Sequence, residues 1–409
     1  YVVDFFYKFV TQAKLLPIKY THMKFLKKTL LWFVIIFATI IALLYLFKVD
    51  YLIKAVRTIY LNGHTTAFLK DYTEFDNRIV PKSHTPQPWA TSKDYNTVKP
   101  TDELEKWHKK LGTVAFLIIK NDSVWNESYY DDYDKNSKSN SFSMAKSIVS
   151  ASLGRAILQG KIKSLDQKVS DFFPEFNQGT SAKMTVGDLS SMSSGLDWDE
   201  SYYSPFSITT RAYFDDDLNK VILGLKGVDE PGQAYKYLSG NTQLLAMCIE
   251  KATGKSLADY VAENFWNPMG AENEAFWQTD HEGGIVKAYC CFASNARDFA
   301  RFGKLYKQSG KWNGQQIIDS AFIAKSTQPR FEASPEYGYG WWLSDYKNKK
   351  IFYMRGHLGQ YVIVIPQDDL IIVRLGNQHQ KSTKGSPHSD DFFVDIDETY
   401  KMLAQRKSK

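Results

Sequence analysis

The sequence predicts an α+β fold in which helices pack on one antiparallel sheet beside a mostly helical subdomain, preceded by a single N-terminal transmembrane helix. Strand-like runs occur near both ends of the chain, whereas residues 142–310 between them have mostly helical patterns. A sheet assembled from distant segments, with helices packed on it, accommodates that order. The uncharged apolar run over residues 29–47 is the predicted transmembrane helix.

This apolar run organises the N-terminal part of the chain. Lys24, Lys27 and Lys28 precede it, which favours a cytoplasmic N-terminus and a translocated body. No small-residue cleavage pattern follows, so we interpret the run as an uncleaved signal anchor, with a cleaved signal peptide as the alternative. Residues 1–28 are then a cytoplasmic segment or, in part, a mis-called start, because the sequence from Met23 onward is typical of a bacterial N-terminus.

Two segments are predicted after the anchor. Residues 48–104 contain four prolines and no sustained periodicity, which indicates an extended tether or wrapping segment. Residues 105–409 form the predicted body. It has a hairpin signal at Asn121-Asp122, three strand-like runs within residues 349–377 with a turn at Asp368-Asp369, and a closing amphipathic helix.

Charge and cysteine content exclude several function classes. The net charge of +6 is concentrated in residues 1–60, where nine Lys or Arg and two Asp give +7, and this leaves −1 for the remainder. A neutral body argues against nucleic-acid binding. Cys248, Cys290 and Cys291 are odd in number and lack a ligand spacing, which argues against a disulfide framework and a zinc site. No metal or cofactor is expected.

A serine and a lysine three residues apart provide the first chemical signal. Ser143 and Lys146 begin an apolar segment over residues 143–159, where helical spacing puts both side chains on one face. A serine hydroxyl needs a base, and a lysine whose pKa is lowered by burial can serve. The same spacing recurs at Ser344 and Lys347, between an aromatic strand-like run and a charged turn that would not hold the pair together.

Two later segments complete a set of three motifs. They are "PGQAYKYLSGNTQLLAMCIEKATG" and "MRGHLGQYVIVIPQDDLIIVRLG". Together with the Ser143 motif, they resemble the serine β-lactamase/penicillin-binding-protein superfamily over roughly residues 105–400. The resemblance is strongest to class C-like serine hydrolases such as the 6-aminohexanoate-dimer hydrolases. It implies a β-lactamase/transpeptidase-like fold.

The resemblance also implies roles for individual residues. Ser143 matches the acylated nucleophile and Lys146 its general base, while Tyr237 matches a tyrosine that shuttles a proton to the leaving group. A phenol has a pKa of about 10, and a neighbouring ammonium would lower it, which would make Tyr237 a usable proton shuttle. His357 opens the third motif, His357-Leu358-Gly359, which is counted with the catalytic set. The backbone N–H groups of Ser143 and Gln360 would form the oxyanion hole. Whether Lys146 or Tyr237 first takes the serine proton stays open at this point.

Departures from the family pattern shape the expected substrate. Ser239 replaces an asparagine and His357 replaces a lysine, so an amide and a fixed positive charge that would hold a β-lactam are missing. Ser239, Gly359, Trp341 and Trp342 are candidate substrate-binding residues. The acidic segment over residues 195–205 is interpreted as a solvated loop, although it could also meet a substrate ammonium.

The expected function is therefore that of a membrane-anchored serine hydrolase. It would cleave an ester or small amide through an acyl-enzyme, on the periplasmic side of a bacterial inner membrane. One alternative is a penicillin-interactive enzyme, either a DD-peptidase or a β-lactamase. Another is a non-catalytic binding protein with the same fold. The expected partners are a small ester or amide and the membrane, without nucleic acid, and the oligomeric state is left open.

Overall fold

The computed structural model describes residues 20–405, and the chain divides into two units, with the division between Lys54 and Ala55. The first unit contains helix α1, Tyr20–Leu46. Its stretch Phe25–Leu46 is strongly apolar, and its most apolar part is not buried. By length and composition this helix is able to cross a membrane. Residues 1–19 of the predicted N-terminal segment lie outside the described residues.

The remaining helices and the strands occur in the following order. The helices are α2 Tyr51–Ala55, α3 Asp102–Leu111, α4 Ala145–Leu158, α5 Val186–Ser190, α6 Ile208–Phe214, α7 Leu218–Leu223, α8 Ser239–Thr253, α9 Leu257–Val261, α10 Ala296–Lys307, α11 Ser320–Ser326 and α12 Asp390–Gln405. The strands are β1 Asn77–Val80, β2 Ala90–Thr91, β3 Thr113–Lys120, β4 Ser123–Tyr129, β5 Ser139–Asn140, β6 Ala275–Gln278, β7 Phe292–Ser294, β8 Lys311–Trp312, β9 Gln315–Gln316, β10 Trp342–Tyr346, β11 Lys349–Gly356, β12 Gln360–Ile365 and β13 Leu370–Gly376.

A seven-stranded sheet forms the centre of the second unit. Its strand order is β10-β11-β12-β13-β3-β4-β2, so strands from both ends of the chain lie side by side. Neighbours are antiparallel except for the short β2, which pairs in parallel with β4. The predicted antiparallel sheet built from distant segments is therefore confirmed.

The sheet is buried on both faces. Along β3, Leu117 and Ile119 belong to the large core that contains the helical middle of the chain. Phe116 and Ile118 alternate with them and belong to a second core that includes residues of α3 and α12, such as Leu104. A strand that faces a core on each side must be apolar throughout, which explains its unbroken run of apolar residues.

Two predicted turns connect neighbouring strands. Asn121 and Asp122 join β3 to β4 with φ angles of 50° and 55°, the left-handed conformation that a two-residue hairpin turn requires. Asp369, with φ of 49°, closes the short helical turn between β12 and β13. Asn and Asp tolerate this conformation better than other residues with a side chain. Both turn predictions are confirmed.

A second, four-stranded sheet was not predicted. Its order is β1-β6-β7-β5, and the longest of these strands has four residues. Strands this short do not produce a detectable alternation of apolar and polar residues. The prediction that residues 142–310 are mostly helical therefore missed β6 and β7. Strand β1 lies within the predicted tether over residues 48–104 and pairs with β6. Helix α3 spans the predicted boundary at residue 104.

Candidate active site

Ser143 lies in a single turn that precedes helix α4. A 3-10 turn covers Phe142–Met144, and Phe142 takes a φ of 45°, which is unusual for a residue with a bulky side chain. The side-chain oxygen of Asn140 accepts the Phe142 backbone N–H at 2.9 Å. The amide of Asn140 in turn donates to the buried Asp71 at 2.8 Å. These bonds hold the turn that presents Ser143, which is itself only partly buried.

Lys146 lies one turn further on and is only 3% exposed. Its Nζ atom is 3.1 Å from the hydroxyl of Ser143 and 3.0 Å from the hydroxyl of Ser239. A third bond runs to the backbone carbonyl of Tyr289 at 2.8 Å. Burial disfavours the ammonium and lowers the pKa of Lys146 to about 8, while the charge of Glu200 acts in the opposite direction. A neutral amine beside the serine hydroxyl is thereby accessible near neutral pH.

Tyr237 covers the same pair of residues. Its ring centre lies 5.0 Å from Nζ of Lys146, and Trp342 flanks it at 5.7 Å between ring centres. From the sequence we expected a neighbouring ammonium to lower the pKa of this phenol. In the structure the pKa is raised because burial outweighs the opposing hydrogen bond with the side chain of Ser143. Tyr237 therefore carries its proton at neutral pH.

His357 lies at the start of a tight turn between β11 and β12. Its ring stacks on Tyr202 at 5.6 Å and meets the edge of Phe142 at 5.7 Å. Burial, with a smaller contribution from His379, lowers the pKa of His357 to about 4. The imidazole is therefore neutral at pH 7 and offers no fixed positive charge.

The rest of this turn is held by buried polar groups. Gly359 has a φ of 83°, and a Cβ added there would lie 2.1 Å from Nη1 of Arg374. Arg374 donates to the carbonyl of Gly359 at 2.8 Å. The side chain of Gln360 donates to the carbonyls of His357 at 3.2 Å and Gly376 at 2.6 Å. The turn that carries Ser143 packs against β11 and β12 beside this point.

Glu200 joins the site, although from the sequence we interpreted its segment as a solvated acidic loop, with contact to a substrate ammonium as the alternative. Its carboxylate accepts the hydroxyl of Ser239 at 2.6 Å, the backbone N–H of Ser239 at 2.6 Å and the hydroxyl of Tyr202 at 2.6 Å. The segment is acidic and aromatic, but no periodicity or spacing in it distinguishes Glu200 from Asp197 or Asp199. Only the fold brings it beside Lys146.

The two tryptophans predicted to contact substrate have different surroundings. Trp342 is partly exposed and touches the ring of Tyr237. Trp341 is fully buried and packs against Tyr306 and Phe352 at 4.2 Å and 5.2 Å, so the structure places it in the core and not at the site. The orientation follows from alternation along the chain, because consecutive residues in an extended segment face opposite sides.

The second serine–lysine pair does not form a comparable site. Ser344 is on β10, and Lys347 follows in the turn with a φ of 53°. The amine of Lys347 pairs with Asp397 at 2.7 Å. This pair therefore lacks the helical spacing that aligns Ser143 with Lys146.

One covalent feature next to the site was not predicted. Cys290 and Cys291 form a disulfide between adjacent residues, directly after the Tyr289 carbonyl that accepts from Lys146. Cys248 is the free, buried cysteine. A disulfide between adjacent residues does not link distant segments of the chain. It is therefore not the kind of disulfide framework that the cysteine content argued against.

Two sequence comparisons found proteins that are similar to this chain. A family profile described as Beta-lactamase matches residues 97–390. The 6-aminohexanoate-dimer hydrolase of Paenarthrobacter ureafaciens is 24% identical over 305 residues, which are 69% of this chain and 77% of that protein.

Solved structures show the same fold. A Bacillus anthracis protein proposed to be a 6-aminohexanoate-dimer hydrolase superposes with a TM-score of 0.67 at 20% identity, covering 82% of this chain and 92% of that one. A family VIII carboxylesterase superposes with a TM-score of 0.59 at 18% identity, covering 80% and 100%. The predicted resemblance and fold class are thus confirmed, and the chain belongs to the Beta-lactamase family of serine hydrolases.

Proposed function

We propose that the protein hydrolyses an ester or short amide through an acyl-enzyme on Ser143, with Lys146 as the general base. The observation that carries the proposal is the 3.1 Å contact between Nζ of Lys146 and the hydroxyl of Ser143. The amine is buried and has a pKa of about 8, so a useful fraction of it is neutral near pH 7. Ser143 is only partly buried, which supports access of a substrate to its hydroxyl.

Acylation then takes the following course. The Ser143 oxygen bonds to the substrate carbonyl carbon while its proton passes to Nζ of Lys146. The backbone N–H groups of Ser143 and Gln360 are the proposed donors to the oxyanion. Tyr237 gives its proton to the leaving alcohol or amine as the carbonyl bond to that group breaks, and the Lys146 ammonium restores it. Deacylation reverses these transfers. Water attacks the acyl carbon and gives a proton to Tyr237, whose own proton passes to Lys146. The Lys146 ammonium then protonates the Ser143 oxygen as the acid is released. In this scheme Lys146, and not Tyr237, takes the serine proton.

An ester or short amide is favoured over a β-lactam by two features of the site. His357 is neutral at pH 7, so it provides no charge to bind a substrate carboxylate. Ser239 stands in place of an asparagine, so the site lacks a side-chain amide there, and the Ser239 hydroxyl is already hydrogen-bonded to Lys146 and Glu200. The name of the P. ureafaciens relative indicates a short amide, which supports the same substrate class.

The proposed location is the bacterial inner membrane, with the catalytic body in the periplasm. It rests on the apolar stretch Phe25–Leu46 and the three lysines that lie at or just before its start. A membrane anchor would confine hydrolysis to substrates that reach the extracytoplasmic face.

The test is steady-state hydrolysis by the purified full chain in detergent. The substrates are a panel of p-nitrophenyl esters, short linear amides and a chromogenic cephalosporin. We expect turnover of an ester or amide, loss of that turnover in Ser143→Ala, and full turnover in the matched variant Ser344→Ala. Faster turnover of the cephalosporin would favour the penicillin-interactive alternative. Absence of turnover on the whole panel would favour a non-catalytic binding protein.

A further inference from the structure

Three groups form a chain of hydrogen bonds that leads from Lys146 to a carboxylate. The amine of Lys146 lies 3.0 Å from the hydroxyl of Ser239, and that hydroxyl lies 2.6 Å from the carboxylate of Glu200. Lys146 and Ser239 are 3% and 1% exposed. Water is thereby kept from the bond between Lys146 and Ser239, whereas the bond to Glu200 is part-buried and Glu200 itself is partly exposed.

The direction of each bond follows from the number of protons available. A carboxylate only accepts, so the single hydroxyl proton of Ser239 goes to Glu200. Ser239 is then an acceptor towards Lys146. The backbone carbonyl of Tyr289 is the other obligate acceptor of that amine, at 2.8 Å. A neutral amine has two N–H donors and one lone pair, so both donors are used.

The lone pair of Lys146 is left for the third neighbour. That neighbour is the hydroxyl of Ser143 at 3.1 Å. If Ser239 could turn its proton towards Lys146, it would compete with Ser143 for the lone pair. The bond from Ser239 to Glu200 removes that competition.

We infer that Glu200 is a positioning residue that acts through Ser239 to aim the lone pair of Lys146 at the Ser143 hydroxyl. The inference rests on the proposed function, since it concerns the base of that reaction. The reacting step is unchanged: the Ser143 proton moves to Nζ as the oxygen bonds to the carbonyl carbon. Glu200 also compensates the ammonium charge that this transfer creates.

The other groups that face Lys146 do not supply this charge. In the described part of the chain, the phenols of Tyr237 and Tyr289 lie over the amine at 5.0 Å and 5.7 Å from ring centre to Nζ. Burial raises the pKa of each phenol, so both are neutral in the pH range of the reaction. Tyr202, which donates to Glu200, is 43% exposed as a whole residue, but desolvation of its phenol and the nearby charge of Glu200 raise its pKa. Glu200 is the carboxylate whose charge reaches Lys146.

A purely structural role for Glu200 makes a different prediction. Its carboxylate also accepts the backbone N–H at the first residue of α8, a position where an acidic group stabilises a helix. If that were its whole role, neutralising it would lower thermal stability and leave the pH dependence of acylation unchanged.

The experiment measures phosphonylation of Ser143 by a fluorophosphonate in the full chain from pH 5.5 to 10. In this reaction the Ser143 oxygen bonds to phosphorus, fluoride leaves, and the serine proton passes to Lys146 as in acylation. The variants are Glu200→Gln, Ser239→Ala and the double variant, with Glu230→Gln as the control for a lost carboxylate. Glu230 pairs with Lys183 at the surface, where both side chains are more than half exposed. Thermal melting of each variant reports the structural effect separately.

The expected results distinguish the orientation of the Lys146 amine from the effect of the Glu200 charge on its pKa. Glu200→Gln should lower the plateau rate about tenfold or more and move the rising limb of the pH profile to lower pH. Ser239→Ala should lower the plateau similarly with little movement of the limb, because the carboxylate stays bonded to the backbone N–H. The plateau rate of the double variant should be no lower than that of Glu200→Gln alone, because the two substitutions break the same chain of hydrogen bonds.

Two results would overturn the inference. One is a pH profile of Glu200→Gln whose rising limb coincides with that of the wild type. If Ser143 of the wild type is labelled, this result leaves the proposed function intact but excludes the positioning role of Glu200. The other is a plateau loss in the double variant that is the product of the single losses. Absence of labelling in the wild type would instead refute the proposed function itself.

Discussion

Burial of Lys146 should make acylation of Ser143 depend on pH with a midpoint near 8. Its pKa falls from 10.5 to about 8 because the ammonium is taken out of water. At pH 7 about a tenth of the amine is then neutral, instead of fewer than about one in a thousand for a solvated lysine. The structure thus supplies on the order of a hundredfold more base at neutral pH.

The sign of the effect follows from which form reacts. The neutral amine takes the serine proton, so the rate should rise about tenfold per pH unit below pH 8 and level off above it. The assay is stopped-flow release of p-nitrophenol from an activated ester between pH 5.5 and 10. Lys146→Met should lower the plateau by about 100-fold to 10,000-fold.

A matched control comes from the other lysine with the same spacing from a serine. Lys347→Met removes a surface ion pair with Asp397, which contributes little, so its profile should match the wild type. A wild-type rate that is constant from pH 6 to 9, or a Lys146→Met variant as fast as Lys347→Met, would refute the reasoning.

Three further predictions concern the remaining groups of the site. Tyr237→Phe should lower kcat by about 100-fold or more with an unchanged melting temperature, because only the proton donor is lost. Gly359→Ala should destabilise the protein by about 2–5 kcal/mol, measured by denaturant unfolding, because its Cβ would meet Arg374 at 2.1 Å with φ at 83°. His357 should show no titration between pH 6 and 8 by NMR, because burial keeps its pKa at about 4. The control for Gly359→Ala is Gly160→Ala, because no atom lies within 4 Å of a Cβ added at Gly160. The control for the NMR experiment is His357→Gln, which assigns the His357 resonance.

The parts of the fold that depend on neighbouring residues were predictable from sequence. The segment that contains Ser143 and Lys146 is apolar nearly all round, and the structure has a buried helix there, Ala145–Leu158. The turns at Asn121-Asp122 and Asp368-Asp369 follow from residues that adopt the left-handed conformation. These features are local, so no knowledge of distant contacts was needed.

The missed features depend on contacts between distant segments. Glu200 lies 39 positions from Ser239, to which it is bonded, and nothing in its own segment indicates that partner. The four-stranded sheet joins residues 77–80 to 275–278, and its strands are too short to show a pattern. Trp341 and Trp342 are adjacent in sequence, and only the packing decides which of them faces the core.

The most direct test of the central claim is covalent labelling of the full chain with a fluorophosphonate, followed by peptide mass spectrometry. We predict one adduct on Ser143, absent in Ser143→Ala, strongly slowed in Lys146→Met, and retained in Ser344→Ala. An adduct on Ser344, or no adduct on a protein that melts cooperatively, would contradict the assignment of Ser143 as the activated nucleophile.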